Sequence, residues 1–269
     1  MNEKLKLLHS GLTITQRCSL KCKLCAGYSP YYNPQPHYSL ELLSDIIDRY
    51  FSIVDHVEKF TVTGGEPLIH EDLARIIEKI IEYRNQFDKI EIITNGTIFP
   101  NNELQSTLEK YGKKDGCLIV MVDHYGELST EVSRIKNYFE DKKIDHRIRI
   151  YHGDNPHCGG WVNFNDFSLK SHNEKDIIKK FRKCGLPKIN FCFAIKNGEM
   201  HPCTFSHRIM ELNIITRNKS EYIDLFDDNT VEQQKNKLRN ILNLKYFGAC
   251  AYCNGMCEDS QRYKPAEQL

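Results

Sequence analysis

Three cysteines near the start of the chain are spaced so that their thiols could share one metal centre. They are Cys18, Cys22 and Cys25, with three residues between the first two and two residues between the last two. A structural zinc site usually takes four ligands, which is one more than this loop offers. A cubane iron–sulfur cluster takes cysteine thiolates, and three of them would leave one of its four irons open to another molecule. Three buried thiols or a zinc site are the alternatives at this point.

A glycine-rich turn with one carboxylate follows the next predicted strand. It consists of Gly64, Gly65, Glu66 and Pro67, about forty residues beyond the cysteines. Glycine lets the backbone take positive φ and come close to a ligand. An ionised Glu66 could accept strong hydrogen bonds from a cationic amine. An ordinary strand-end turn is the alternative interpretation.

Together, the cysteine loop and this turn resemble the two cofactor motifs of radical S-adenosylmethionine (SAM) enzymes. The resemblance covers residues 12–150 and implies that the three cysteines hold a [4Fe–4S] cluster whose open iron binds the amino and carboxylate groups of SAM. It also implies that Glu66, with the backbone of Gly64 and Gly65, holds the methionine amino group. Reductive cleavage of SAM would then yield methionine and a 5′-deoxyadenosyl radical, chemistry that the cofactor supplies and the protein orients.

Two further strand ends carry polar residues at positions that matter in this family. Thr94 and Asn95 match the place that often meets the SAM ribose or carboxylate, and Asp123, one strand further on, could serve the ribose or the substrate. We expect these residues to contact the cofactor. Strand-end turn residues with no ligand are the alternative.

Alternating strand and helix signals place these motifs at strand ends. β-Branched runs predict strands at 12–15, 57–63, 89–94, 117–122 and 145–150. Apolar residues at helical spacing predict helices at 39–50, 70–84, 103–111 and 130–141. This alternation favours a parallel sheet whose strand ends meet at one edge. With the family resemblance, we expect an α/β fold: a partial (β/α)6 barrel over residues 1–180 and a small C-terminal appendage, a β-hairpin plus helix, over residues 181–269.

The C-terminal half carries seven of the eleven cysteines. Cys184, Gly198, Cys203, Cys250 and Cys253 resemble the spacing of the twitch domain, the shortened form of the SPASM domain of radical SAM enzymes. The resemblance implies a second [4Fe–4S] cluster, an auxiliary one, with these four cysteines as its ligands. Zinc is the alternative occupant, because four thiolates suit it equally well.

A hairpin signal lies inside the same segment. The Asn-Gly pair at residues 197–198 is the strongest short-range turn signal for two antiparallel strands. We expect those strands at 191–195 and 199–204, and a two-residue turn between them would place Cys192 opposite Cys203.

Two further thiols compete for the auxiliary site. Cys192 could replace Cys184, and Cys257 could replace either member of the pair at 250 and 253. Cys117 begins a predicted strand, and we expect it in the core, where a free cysteine behaves as a small hydrophobic residue.

Composition excludes several classes of protein. The chain has 269 residues, 40% of them hydrophobic, which is enough for a full-size core. Its net charge of +1 gives no indication of a nucleic-acid surface. We expect no membrane span, because no apolar run approaches the roughly 18 residues that a spanning helix needs. Many cysteines without a secretory signal favour a reducing cytoplasm, where thiols bind metals or do chemistry rather than form disulfides.

The expected function is that of a radical SAM oxidoreductase that abstracts hydrogen from a small polar substrate. A sugar, an aminocyclitol or a nucleotide sugar is the preferred substrate, and dehydrogenation or epimerisation is the expected outcome. A peptide maturase acting on a precursor peptide is one alternative, and a non-catalytic iron–sulfur or zinc-binding protein is another. The auxiliary cluster would accept an electron or bind the substrate, and an external donor such as flavodoxin or ferredoxin would supply the first electron. No catalytic residue is assigned.

Overall fold

The computed structural model describes residues 4–188 and 192–269, and its backbone is organised on one eight-stranded sheet. The strands are β1 (Lys6–Thr15), β2 (His56–Gly64), β3 (Phe87–Thr94), β4 (Leu118–His124), β5 (His146–Ile150), β6 (Phe193–Lys196), β7 (Glu199–His201) and β8 (Ile223–Asp224). The helices are α1 (Leu40–Ile53), α2 (Leu73–Ile81), α3 (Asn102–Tyr111), α4 (Val132–Asp141), α5 (Glu174–Lys183), α6 (Gly185–Lys188), α7 (Thr204–Glu211) and α8 (Val231–Leu242).

The strand order confirms an α/β fold with a parallel sheet. Across the sheet the strands run β5-β4-β3-β2-β1-β6-β7-β8. β1 to β5 pair in parallel, β6 joins β1 in parallel, and β7 and β8 follow antiparallel. The sixth parallel strand therefore lies beside β1 and comes from the predicted hairpin. β1 gains hydrogen-bonding partners on both edges, as the backbone of a central buried strand requires.

Helix packing explains why these segments form the fold. The Ser39 hydroxyl caps α1 by accepting a hydrogen bond from the Leu42 N–H at 3.3 Å. The side chains that α1 buries recur at helical spacing: Leu43, Ile46, Ile47, Tyr50, Phe51 and Ile53. α2 buries Leu73, Ala74, Ile76, Ile77 and Ile80 in the same way. Within residues 4–188 and 192–269, no helix combines the length and the apolar character that crossing a lipid bilayer would need.

The first strand is longer than its sequence pattern predicts. β1 begins at Lys6 rather than at residue 12, because polar residues inside the barrel conceal the strand pattern there. The His9 imidazole forms a 2.7 Å hydrogen bond with the Thr61 hydroxyl on the neighbouring β2. A barrel interior that holds polar side chains does not produce the continuous apolar run by which buried parallel strands are recognised.

The hairpin turn is confirmed, but its second strand is shorter than predicted. Asn197 and Gly198 both have positive φ, 48° and 80°, as a tight hairpin turn requires. β7 ends at His201, and Cys203 lies beyond it as the N-cap of α7. The register is the predicted one, since Ala194 pairs with His201, but the pairing ends there because the backbone turns into a helix before Cys192 and Cys203 can pair. Residue 191, the predicted start of the first hairpin strand, lies outside the described residues.

The expected division at residue 180 falls inside α5. The sheet also continues across it, since β6 pairs with β1 over Ser10 to Leu12. A separate C-terminal unit stays a prediction, and any boundary for it would lie at an end of α5 rather than within it.

Candidate functional site

The carboxyl ends of β1, β2 and β3 bring three of the predicted cofactor residues into contact. The Asn95 backbone N–H donates a 2.7 Å hydrogen bond to Glu66 Oε2. The Asn95 side-chain Nδ2 donates to Cys18 Sγ at 3.6 Å and to Ser19 Oγ at 3.1 Å. The cysteine loop, the Gly-Gly-Glu-Pro turn and the end of β3 therefore form one continuous site, as the common edge of a parallel sheet predicts.

Cys18 and Cys22 lie close enough to the other charges of the site for their pKa values to be affected. Burial raises the pKa of Cys18 to about 12, and the charges of Glu66, Cys25 and Cys22 raise it further. Burial likewise raises the pKa of Cys22 to about 11. Only the thiolate form of cysteine binds a metal. Because the pKa values of Cys18 and Cys22 are raised, these thiols lose their protons at neutral pH only when a strongly positive metal centre takes the place of the protons.

Glu66 is a buried carboxylate whose hydrogen bonds do not fully stabilise its negative charge. Its side chain is fully buried, and it accepts hydrogen bonds from the Asn95 N–H and, at 3.0 Å, from the Leu68 N–H. Burial raises its pKa to about 7 despite these hydrogen bonds, and the negative charge of Asp123 raises it further. A carboxylate in this state is stabilised by a nearby cation, such as the amine of a bound ligand.

The raised pKa of Glu66 predicts a specific pH dependence of stability. Its folded-state pKa of about 7 exceeds the ordinary value of 4.5, so the folded chain holds this proton more tightly than the unfolded chain does. The contribution of Glu66 is fully present below pH 4.5 and is lost as pH rises to about 7. We expect the free energy of unfolding without SAM to fall over this window by about 3 kcal/mol more in the parent chain than in Glu66→Gln.

Denaturant unfolding across this pH window measures the difference. Glu58→Gln is the control, because it replaces the same functional group at an exposed position on β2. Parallel pH profiles for the parent chain and Glu66→Gln would contradict the assignment of a shifted pKa to this buried carboxylate.

Gly64 and Gly65 let the end of β2 lie against the cysteine loop. A Cβ atom at Gly64 would overlap the carbonyl oxygen of Thr15, and one at Gly65 would overlap that of Arg17. The Gly65 N–H donates a 2.8 Å hydrogen bond to the same Thr15 oxygen. These glycines therefore have a structural role of their own, and their predicted contact with an amino group would have to use carbonyl oxygens.

We expect Gly64→Ala to lower the free energy of unfolding by about 3 kcal/mol or more, because backbone rather than a flexible side chain would have to move. Gly11→Ala is the matched control on the adjacent strand, since the nearest atom to its new Cβ would be a Thr63 methyl group at 4.0 Å. Denaturant unfolding of both variants provides the measurement. Equal, small losses in the two variants would show that the turn tolerates a side chain.

Thr94 and Asp123 lie at the same edge with partners of their own. The Thr94 hydroxyl lies beside Glu66 and accepts a 3.2 Å hydrogen bond from the Gly96 N–H. Asp123 accepts a 2.5 Å hydrogen bond from Arg149 Nε. Burial raises the pKa of Asp123 even though Arg149 opposes it. Their contacts with a cofactor stay predictions.

Arg149 is a site residue that the sequence patterns did not single out. It lies on β5 directly across from Asp123 on β4, so the strand register brings the two charges together. An arginine inside a short strand can be recognised as a site residue only when the side chains next to it on the neighbouring strand are known.

The four predicted auxiliary cysteines converge from separate elements. Cys184 follows α5, Cys203 caps α7, Cys250 lies in a short 3₁₀ turn and Cys253 follows that turn. Burial raises the pKa of Cys203 well above its ordinary value, and the charges of Cys253, Cys250 and Cys184 raise it further. The thiols are therefore neighbours in space, although they lie up to 69 positions apart along the chain.

Cys192 and Cys257, the two thiols that compete for the auxiliary site, have different surroundings. Cys192 Sγ lies 3.7 Å from His9 Nε2, and the charged neighbours that affect its pKa are Lys59 and Glu91 inside the barrel. Cys257 is buried and donates a hydrogen bond to the Lys180 carbonyl. Cys117 is buried in the core, as predicted.

A cavity of about 420 Å³ lies between the two cysteine regions. Five C-terminal thiols line it, the four predicted auxiliary ligands and Cys192, together with Arg149 and with Ala26, which follows Cys25. Aromatic and aliphatic side chains supply most of the remaining lining. Ligand sites are commonly mostly apolar cavities of this size with a few placed polar groups.

Comparison with known sequences identifies relatives for most of the chain. The family model of the radical SAM superfamily matches residues 12–148. A GTP 3′,8-cyclase of Aquifex aeolicus is 28% identical over 227 residues, which cover 82% of this chain and 67% of that protein. A GTP 3′,8-cyclase of Campylobacter jejuni subsp. doylei is 33% identical over 197 residues, covering 71% of this chain and 57% of its own length. The chain thus spans between about half and two thirds of these curated relatives.

Solved structures share the fold. The structure described as "Native anSMEcpe with bound AdoMet and Kp18Cys peptide" matches with a TM-score of 0.57 and 16% identity, covering 99% of this chain and 93% of the other. "Crystal structure of BtrN in complex with AdoMet and 2-DOIA" matches with a TM-score of 0.50 and 13% identity, covering 98% and 99%. At these identities the likeness concerns the fold alone.

Proposed function

Because the chain belongs to the radical SAM superfamily, we propose that it cleaves SAM at a [4Fe–4S] cluster held by Cys18, Cys22 and Cys25. The radical so generated would abstract hydrogen from a small polar substrate. The observation that carries the proposal is the cavity between the two cysteine regions, because it offers a substrate site beside the cysteine loop.

The residues of the cysteine loop fit a cluster better than a single zinc ion. Tetrahedral zinc would hold thiolate sulfurs about 3.8 Å apart. All eleven cysteines belong to the described residues, and no three of their sulfurs lie within 4.8 Å of one another. Backbone and side-chain N–H groups donate to Cys18 and Cys22, as they do around cluster thiolates.

The surrounding residues would bind and orient the cofactor. When bound, the cluster and SAM supply the reducing electron and the radical. Glu66 would receive the cationic amine, which compensates its buried charge. Thr94, Asn95 and Asp123 would lie along the ribose and carboxylate side, where they already share one edge of the sheet.

We propose that Cys184, Cys203, Cys250 and Cys253 hold an auxiliary [4Fe–4S] cluster in a twitch-like C-terminal unit whose boundary lies at an end of α5. Besides burial, the charges of Cys253 and Cys184 raise the pKa of both Cys203 and Cys250, which supports this set over one containing Cys192. Zinc stays the alternative occupant. The auxiliary cluster would line the cavity, where it could accept an electron from the substrate or orient it.

The cavity lining favours a small polar molecule that carries few negative charges. Among the described residues that line it, the cationic or ionisable basic ones are His9, Arg149 and Lys180. Burial lowers the pKa of His9 to about 4, so it is neutral, and Arg149 is paired with Asp123. Lys180 Nζ donates to the Cys253 carbonyl. A triphosphate such as the GTP in the relatives' name requires unpaired cationic side chains, and these residues offer little free positive charge. A sugar or aminocyclitol does not require such side chains for binding.

The volume of the cavity also favours a small molecule over a precursor peptide. About 420 Å³ lies near the lower end of the range for small-molecule sites. The four proposed cluster ligands are among its lining residues, so an auxiliary cluster would take part of that space. Dehydrogenation or epimerisation at one substrate carbon fits such a site, and dehydrogenation would make the chain an oxidoreductase under this proposal.

The proposed chemistry also requires a particular cellular setting. Cluster potentials extend down to about −700 mV, so reduction needs a strongly reducing one-electron donor. We propose flavodoxin or ferredoxin as that donor and the cytoplasm as the location, since thiols stay reduced there.

Product analysis with candidate substrates tests the proposed function. The anaerobically reconstituted protein is incubated with SAM, dithionite and a sugar, an aminocyclitol, a nucleotide sugar, GTP or a peptide. We expect 5′-deoxyadenosine to increase with a substrate of the first three classes, and to carry deuterium when that substrate is deuterated. Stimulation by GTP or by the peptide alone would overturn the substrate class. No 5′-deoxyadenosine under any condition would favour a non-catalytic metal protein.

A further inference from the structure

The last residues of the described chain cross the cysteine loop as a strap. This strap, residues 263–269, begins with an antiparallel bridge between Tyr263 and Trp161. It then pairs with the cysteine loop: the Lys23 N–H donates to the Glu267 carbonyl at 2.7 Å, and the Leu269 N–H donates to the Lys21 carbonyl at 2.9 Å. Backbone hydrogen bonds therefore fix the strap on both sides of residue 22.

The side chain of Gln268 points its amide group at the sulfur of Cys22. Gln268 Oε1 accepts a 2.7 Å hydrogen bond from the Lys21 N–H. Its Nε2 donates to the Ala266 carbonyl at 2.6 Å and to Cys22 Sγ at 3.4 Å. The neighbouring N–H and C=O groups leave only one orientation of the amide, in which both Nε2 protons are used.

The strap also covers the loop with apolar surface. Ala266 is 3% exposed and packs with Leu20 and Cys22, which are themselves 8% and 7% exposed. Trp161, which forms the bridge to the strap, also packs edge-on against Tyr125 with ring centroids 5.6 Å apart. The strap thus removes this side of the loop from water while bringing one polar donor to a sulfur.

We propose that Gln268 is a positioning residue that raises the reduction potential of the first cluster by donating a hydrogen bond to the Cys22 thiolate. This inference rests on the proposed function, because it requires a cluster at Cys18, Cys22 and Cys25. A donor at a ligating sulfur stabilises the reduced cluster more than the oxidised one, since reduction places more negative charge on the sulfurs. Gln268 would therefore make the first electron easier to accept.

Potentiometric titration of the reconstituted protein, followed by electron paramagnetic resonance, tests this role. We expect Gln268→Ala to lower the ratio of reduced to oxidised first cluster roughly tenfold at the parent midpoint, a shift of about 59 mV for one electron. Gln268→Met keeps the side-chain volume without the donor, and we expect the same shift. The matched control is Glu267→Gln, at the residue next to Gln268. It removes the exposed ion pair between Glu267 and Lys23, and we expect it to leave the midpoint potential unchanged.

The outcomes separate this inference from the proposed function. A parent chain without iron or without a reducible signal would defeat the proposed function itself. A normal iron content with identical midpoints in the parent, Gln268→Ala and Gln268→Met would overturn the inference alone. A shift in Glu267→Gln as large as that in Gln268→Met would also overturn it, because the effect would then belong to docking of the strap rather than to the donor.

Discussion

Replacing Cys18 with alanine is expected to abolish SAM cleavage, reducing 5′-deoxyadenosine to the level of a protein-free control. Three thiolates hold three of the four irons and leave one open for the cofactor, so losing one thiolate leaves a second iron without a protein ligand. Cys18 also contacts Asn95, and, besides burial, the charge of Glu66 raises the pKa of Cys18. Cys18 therefore lies where the cysteine loop meets the other predicted cofactor residues. The measurement is 5′-deoxyadenosine formed with dithionite, together with iron per chain.

Cys117→Ala is the matched control for this experiment. Cys117 is a buried thiol directly before β4 and lies outside both cysteine regions. Its loss leaves a small core cavity, which we expect to cost about 1 kcal/mol of stability without affecting iron content. Full SAM cleavage by Cys18→Ala would contradict the ligand assignment.

The double variant Cys250→Ala, Cys253→Ala is expected to lose about half of the bound iron, from about eight to about four per chain, while SAM cleavage continues. The two cysteines supply half of the proposed auxiliary ligands and line the cavity, whereas none of the cysteines of the first loop does. Substrate turnover should fall much further than SAM cleavage, because the substrate would lose a wall of its site. Iron analysis and product quantification measure the two effects separately.

Controls for the double variant use the remaining thiols. Cys117→Ala, Cys158→Ala removes the same number of cysteines and should keep all the iron, since Cys158 is exposed and Cys117 belongs to the core. Single replacements of Cys192 and Cys257 decide whether either thiol is a ligand. Unchanged iron in the double variant, or zinc found in place of iron, would refute the auxiliary cluster.

Local patterns predict much of the first site. The cysteine loop and the Gly-Gly-Glu-Pro turn are short local motifs, so they can be recognised in the sequence directly. The continuous β-branched strands before them predict that both lie at one edge of a parallel sheet. The contacts of Asn95 with Glu66 and Cys18 agree with that reading. Helix α1 was predictable because Ser39 caps a segment with apolar residues at helical spacing.

Features that depend on distant pairing were not predictable. The contact of Gln268 with Cys22 joins residues 246 positions apart, and the sequence of the strap matches no motif. Arg149 meets Asp123 only through the register of β4 and β5. The place of β6 beside β1 is likewise a matter of tertiary topology, because a hairpin signal specifies its own turn but not the sheet that it joins.

Electron paramagnetic resonance of the reduced protein, before and after SAM is added, tests most directly whether SAM binds at a cluster held by three thiols. The account predicts a [4Fe–4S] signal in the Cys250→Ala, Cys253→Ala variant, where the first cluster would be observed alone, and a clear change in that signal on adding SAM. A variant without a reducible cluster, or with a signal that SAM leaves unaltered, would contradict it.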